Sequence, residues 1–144
     1  MARYVTTVRT QQPAAEAFAY MADLRHFAEW DPGVKKVVQV KGDGAGAGAE
    51  FDVTVTGTTL RYVTEVYQPS TELVVVAKSR TLTSTDRVTV TADGDSTLVT
   101  YDALLELNGV LRIADPVLRL AFGRIGDRAA AGLRRVLDGH DVPR

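Results

Sequence analysis

From Val34 to Leu107 the chain alternates apolar and polar residues with period two, the pattern of strands wet on one face. It predicts strands over Val34 to Val40, Glu50 to Thr56, Thr58 to Gln68, Glu72 to Arg80, Leu82 to Thr91 and Ser96 to Leu107. The inward phases carry Phe51, Val53 and Val55, then Leu60, Tyr62 and Val66, then Leu73, Val75, Ala77 and Ser79. Val74 and Val76 blur that last assignment. Leu82, Ser84, Asp86, Val88 and Val90 share the next phase, and Val99, Tyr101, Ala103, Leu105 and Leu107 the last. Gly57 and Asp93-Gly94 read as tight turns, and Gly42 to Gly48 as a glycine-alanine loop near the mouth of the fold.

Two regions change period. Between Asp115 and Asp138, Leu118, Ala121, Phe122, Ile125, Ala129, Leu133 and Val136 recur at helical spacing, with Arg112, Arg119, Asp127, Arg134 and Asp138 opposite. Asp115 is placed to cap this helix, Pro116 suits its first position and Gly139 a left-handed stop. Val117 and Leu120 lie off the stripe, free for the short helices or a second subunit. Near the N-terminus, Arg3 to Thr10 suits a strand and Gln11-Gln12-Pro13 breaks it, with Pro13 able to open a helix. Helices follow over Ala14 to Ala22 and, capped by Asp23, over Leu24 to Glu29, pointing Phe18, Met21, Leu24 and Phe27 to one interior. Trp30-Asp31-Pro32-Gly33 reads as a turn.

Short connections imply antiparallel neighbours, and a twisted apolar sheet face must cover the long helical stripe. The expected architecture is α+β: a seven-stranded curved antiparallel sheet around a long C-terminal helix, with two short helices between strands 1 and 2. A chain of 144 residues with 45% hydrophobic content fits one domain, residues 1–144, ending in a flexible tail over 139–144. The net charge of −1 gives no whole-chain case for nucleic acid, although the helix segment itself is basic. The absence of cysteine excludes disulfides and thiolate chemistry. With no signal-like or membrane-spanning apolar run, a cytoplasmic monomer or homodimer is expected.

This order of elements, with Ala14-Ala15-Glu16-Ala17-Phe18-Ala19-Tyr20-Met21-Ala22-Asp23-Leu24 and Phe27-Ala28-Glu29-Trp30-Asp31-Pro32-Gly33-Val34, resembles the polyketide cyclase/dehydrase branch of the START-like (Bet v 1-like, helix-grip) superfamily. The likeness spans about Arg3 to Leu137, with Gly109 as the glycine before the last helix. It implies a cavity between sheet and helix for a hydrophobic small molecule, lipid-like, isoprenoid or polyketide-like. The wall candidates are then Phe27, Trp30, Phe51, Val53, Val55, Tyr62, Val75, Asp86, Val88, Tyr101, Ala103, Leu105, Leu118, Phe122 and Ile125. Small helix residues, Ala121, Gly126, Ala129 and Gly132, favour an open space; Phe51, Tyr62, Tyr101 and Phe122 are large enough to fill it.

The chemical motifs are few. The glycine loop lacks the spacing and the following helix of a phosphate loop, His26 and His140 lack metal-site spacing, and no nucleophile elbow exists. No metal or cofactor is expected. Tyr62, Asp86 and Tyr101 are polar groups in inward strand phases. Asp86 either sits at a rim with water, bonds an Arg or a tyrosine hydroxyl, or carries a raised pKa and becomes a candidate acid or base. Trp30 either stacks on a ligand or plugs the core. Three functions remain: binding of a hydrophobic molecule oriented by Tyr62, Asp86 and Tyr101, a polyketide aromatase/cyclase-dehydrase using the same three as catalytic candidates, and a protein-interaction module.

Overall fold

The computed structural model describes residues 2–108 and 115–141. In chain order they form β1 (Ala2–Thr10), α1 (Ala14–Ala22), a 3₁₀ turn (Leu24–His26), α2 (Phe27–Trp30), β2 (Val34–Lys41), β3 (Glu50–Val55), β4 (Thr58–Gln68), β5 (Glu72–Lys78), β6 (Leu82–Asp93), β7 (Ser96–Leu107), α3 (Asp115–Leu137) and β8 (His140–Asp141). Seven long strands make a curved antiparallel sheet in the order β2-β3-β4-β5-β6-β7-β1, and β8 adds a short rung beyond β1. The first strand pairs with the last long one, Ala2 facing Leu105 and Thr10 facing Thr97. The chain therefore crosses from one sheet edge to the other through α1 and α2, which close the concave side at one end. Among the described residues no helix is long and apolar enough to cross a membrane.

Local physics explains where the elements depart from simple periodicity. Asp23 accepts the Arg25 amide at 3.0 Å, which caps a 3₁₀ turn rather than a regular helix, so the second helix begins at Phe27 and runs through Trp30. Pro13 flanks α1 instead of entering it, its carbonyl accepting the Ala17 N–H at 3.0 Å. In β4 an irregularity in pairing between Thr64 and Val66 shifts the phase, so Tyr67 rather than Val66 packs on the core, against Phe18. β5 stops at Lys78, leaving Ser79 exposed in the turn to β6 instead of inward. Val74 and Val76 are buried although they point away from the main core; neighbouring strands flank this central strand on both sides. The Gly42–Gly48 loop is held by Gln39, whose side chain both donates to and accepts from Gly44 at 2.9 Å.

The long helix is seated by its C-terminal half. Ala129, Ala130, Leu133 and Leu137 are buried, whereas Ala121 is exposed, Ile125 is 47% exposed and Leu120 66%. The apolar stripe thus leaves the core toward its N-terminal end, contrary to a stripe buried throughout. Glycines set this contact. A Cβ on Gly132 would overlap the Trp30 carbonyl oxygen, and one on Gly126 the Tyr4 ring. Arg135 Nη2 donates to Glu29 O at 2.8 Å and Tyr4 OH to Asp127 Oδ1 at 2.8 Å, which hold α3 to α2 and to β1. The helix ends with Asp138, not Gly139, in the left-handed region at φ 51°; Gly139 instead passes so close to Arg9 O that a side chain would collide. That approach lets His140 and Asp141 pair with Arg9 and Val8, so the expected flexible tail begins as a strand. Gly109 to Ala114, Arg112 among them, the Asp115, Val117 and Leu118 side chains, and residues 142–144 lie outside the described residues.

Glycine inside a helix ordinarily costs about 1 kcal/mol relative to alanine. Gly123→Ala, where nothing lies within 4 Å of the added carbon, should stabilise the fold by roughly 0.5–1 kcal/mol. Gly132→Ala should destabilise it by about 1–3 kcal/mol as α3 is pushed off Trp30. Urea unfolding of both variants checks the opposite signs.

Candidate functional site

Because α3 is seated at one half only, the sheet beneath its other half is uncovered from within. A cavity of about 460 Å³ lies there. Its apolar wall comes from Val53 and Val55 on β3, Leu60 on β4, Leu82 on β6, Ala103 and Leu105 on β7, and Phe122 and Ile125 on α3. Phe27 and the turn Asp31-Pro32-Gly33-Val34-Lys35 form one side, and Thr56 and Arg128 stand at the mouth. The glycine-alanine loop is not among its lining residues.

The deep wall is polar. The inward phases of β4, β6 and β7 align Tyr62, Ser84, Asp86 and Tyr101, because Ser84 and Asp86 are two residues apart on one face and Asp86 pairs with Ala103 across β7. Tyr62 OH donates to Ser84 Oγ at 2.8 Å, Ser84 Oγ to Asp86 Oδ1 at 3.3 Å, and Tyr101 OH to Asp86 Oδ2 at 2.9 Å. Trp30 packs edge-on against Tyr101 at 5.1 Å, and Phe27 edge-on against Tyr62 at 6.4 Å, so α2 fixes both phenols. Behind Asp86 a small void of about 20 Å³, lined also by Met21, Leu24, Trp30, Leu73, Val75 and Val88, has room for one water.

Burial pushes the Asp86 carboxyl up to about 7; the bonds from Tyr101 and Ser84 oppose this, and the charges of Asp31 and Asp102 add to it. Asp31, in the turn after α2, is also raised by burial, against the pull of the Gly33 N–H that its Oδ1 accepts at 2.9 Å. Burial and the nearby Asp86 charge raise both Tyr62 and Tyr101, so the phenols stay protonated donors.

Of the wall positions expected from sequence, Phe27, Val53, Val55, Tyr62, Asp86, Tyr101, Ala103, Leu105, Phe122 and Ile125 line the cavity, while Trp30, Val75 and Val88 line only the small void behind it. Phe51 is fully buried in the core and lines neither. His26 stacks on Tyr20 at 4.4 Å away from the cavity. Ser84, Asp31 and Arg128 are site positions that sequence reasoning misses. Ser84 has the inward phase as its signal; Asp31 and Arg128 have none, since a turn residue and an exposed helix position acquire their roles only from tertiary placement. Among the described residues no three His, Cys, Asp or Glu side chains gather as a metal site.

Comparison with known proteins places this geometry in a lineage. The family model for "Polyketide cyclase / dehydrase and lipid transport" matches residues 1–138. No curated protein matches the chain in sequence. Among solved structures, a START superfamily protein from Mycobacterium smegmatis is 19% identical over 96% of this chain and 98% of its own, with a TM-score of 0.71. The di-domain ARO/CYC StfQ of the steffimycin biosynthetic pathway is 13% identical over 95% of this chain, which spans 50% of StfQ, with a TM-score of 0.70. A protein from Thermus thermophilus is 12% identical over 92% of this chain and 94% of its own, with a TM-score of 0.69. At these identities the structures speak for the fold, and the family match for descent: the chain belongs to the polyketide cyclase / dehydrase and lipid transport family.

The Asp86 environment sets a pH dependence. The folded carboxyl keeps its proton up to about pH 7, whereas the unfolded chain loses it near the ordinary value of 3.8. Between these limits the folded state binds more protons, so stability falls as pH rises through that window, by an amount on the order of a few kcal/mol. Asp86→Asn should flatten most of the fall, with a residue left by Asp31. Urea midpoints from pH 4 to pH 8 measure it.

Proposed function

We propose that this family member takes up one largely apolar small molecule in the cavity of about 460 Å³, its polar end against the Tyr62-Ser84-Asp86-Tyr101 chain. The observation that carries the reading is that cavity itself, apolar around its sides and polar at one end, within the roughly 300–1,000 Å³ of small-molecule sites. Phe27, Val53, Val55, Ala103, Leu105, Phe122 and Ile125 would contact the apolar body. Burying about 300 Å² of ligand at roughly 25 cal/mol per Å² supplies about 7 kcal/mol before the costs of association, short of the roughly 8 kcal/mol of micromolar binding, so hydrogen bonds at the polar end must add to it. The family description supports a polyketide-like or a lipid-like guest.

A second reading, cyclase/dehydrase catalysis in the same space, is favoured by one observation. Asp86 lines the cavity and its carboxyl, pushed to about 7, can hold or release a proton at neutral pH. Tyr101 would then position it.

Titration with aromatic polyketides, quinones and fatty acids should give saturable, one-to-one binding in the micromolar range. Ala103→Phe, which adds bulk from the β7 wall, should weaken it about tenfold or more at unchanged fold. Absence of saturable binding by any of these classes to monodisperse protein contradicts the reading; binding untouched by Ala103→Phe moves the ligand elsewhere. Turnover of a poly-β-ketone that disappears in Asp86→Asn while binding persists would decide for catalysis.

A further inference from the structure

The deep end of the cavity has a polarity that an apolar guest alone does not use. Each hydroxyl carries one hydrogen, and here all three are committed: Tyr62 to Ser84, Ser84 to Asp86, Tyr101 to Asp86. The Asp31 carboxylate, 9% exposed and lining the same cavity, accepts from Gly33 N–H through Oδ1, while its Oδ2 has no partner among the described residues. Neither Asp31 nor Asp86 forms an ion pair with a cationic side chain among the described residues. Above about pH 7, where Asp86 is ionised, these side chains therefore present oxygen lone pairs with no free hydrogen. Among the described residues, positive charge lines the cavity only at the exposed Lys35 and Arg128.

We propose that this inner end is a subsite for a hydrogen-bond donor, best a protonated amine, carried on an apolar body, and that it rejects carboxylates. The proposal rests on the reading that the cavity takes a small molecule. An ammonium or amine hydrogen reaches the open Asp31 Oδ2 and offsets the charge of two carboxylates that no cation pairs among the described residues. A carboxylate placed there above pH 7 meets two carboxylates and no side-chain donor, so discrimination comes from repulsion as much as from attraction. Any acidic group on the guest is directed outward, toward Lys35 and Arg128.

The matched probes naphthylmethylamine, naphthylmethanol and naphthoic acid share one apolar body and differ in the end group. Calorimetric titration at pH 8 in about 0.5 M sodium chloride screens the exposed cations at the mouth. The amine should bind about tenfold or more tighter than the acid, with the alcohol between. Asp31→Asn, which replaces an acceptor by a group that also donates, should reduce the amine-to-acid ratio by about tenfold. If the alcohol binds and the acid equals or exceeds the amine, the donor subsite is overturned while the cavity reading stands. If none of the three binds saturably, the cavity reading fails and takes this inference with it.

Discussion

The close approach of α3 to the backbone of α2 is the constraint from which the rest follows. Gly132 lies against the Trp30 carbonyl with no room for a side chain, and Gly126 lies over the Tyr4 ring. With the helix seated at these points and by Leu133 and Leu137, its axis is set by its C-terminal half. Toward the other end Ile125 and Phe122 form cavity wall, Phe122 packing at the margin of the core. The three glycines of α3 cost helix propensity, and two of them return it as close packing.

The same seating positions the chemistry. Trp30 and Phe27 sit on the short helix that α3 holds down, and each packs edge-on against a cavity tyrosine. Tyr101 and Ser84 then spend their hydrogens on Asp86, so a carboxyl buried among apolar residues is tolerated without a cation, at the cost of a raised pKa. Asp31 sits in the turn that follows, its backbone N–H and C=O bonded within the α2–β2 connection and one carboxyl oxygen to Gly33. A break in the α3 contact would thus reach the polar end of the cavity through one short helix.

Much of this was legible in the chain. The period-two segments fall on the observed strands, with β4 and β7 bounded as expected, and the inward phases brought Tyr62, Asp86 and Tyr101 together. Alternation reads faces well because a strand has only two. What it could not read was partial seating: the helical stripe continues through Ile125 and Ala121, and only the glycine contacts, which are tertiary, decide where burial stops. The pairing irregularity in β4 hid Tyr67 for a similar reason, since one extra residue inverts the phase beyond it. Asp31 looked like an ordinary turn residue, and its burial comes only with the tertiary fold. Asp138 took the left-handed turn because Gly139 was needed for contact with β1.

Membership in a polyketide cyclase / dehydrase and lipid transport family sets the class of structure, while the guest is chosen by the few polar atoms at the closed end of the space. Nuclear Overhauser contacts between a bound apolar guest and methyl-labelled protein test that space most directly. The account predicts contacts to Val53, Leu60, Leu105 and Ile125 together, methyls of β3, β4, β7 and α3 that converge on the cavity. Contacts confined to the exposed Val38 and Val40 on the sheet edge, or Phe122 packed directly on Val53 in the free protein, would contradict it.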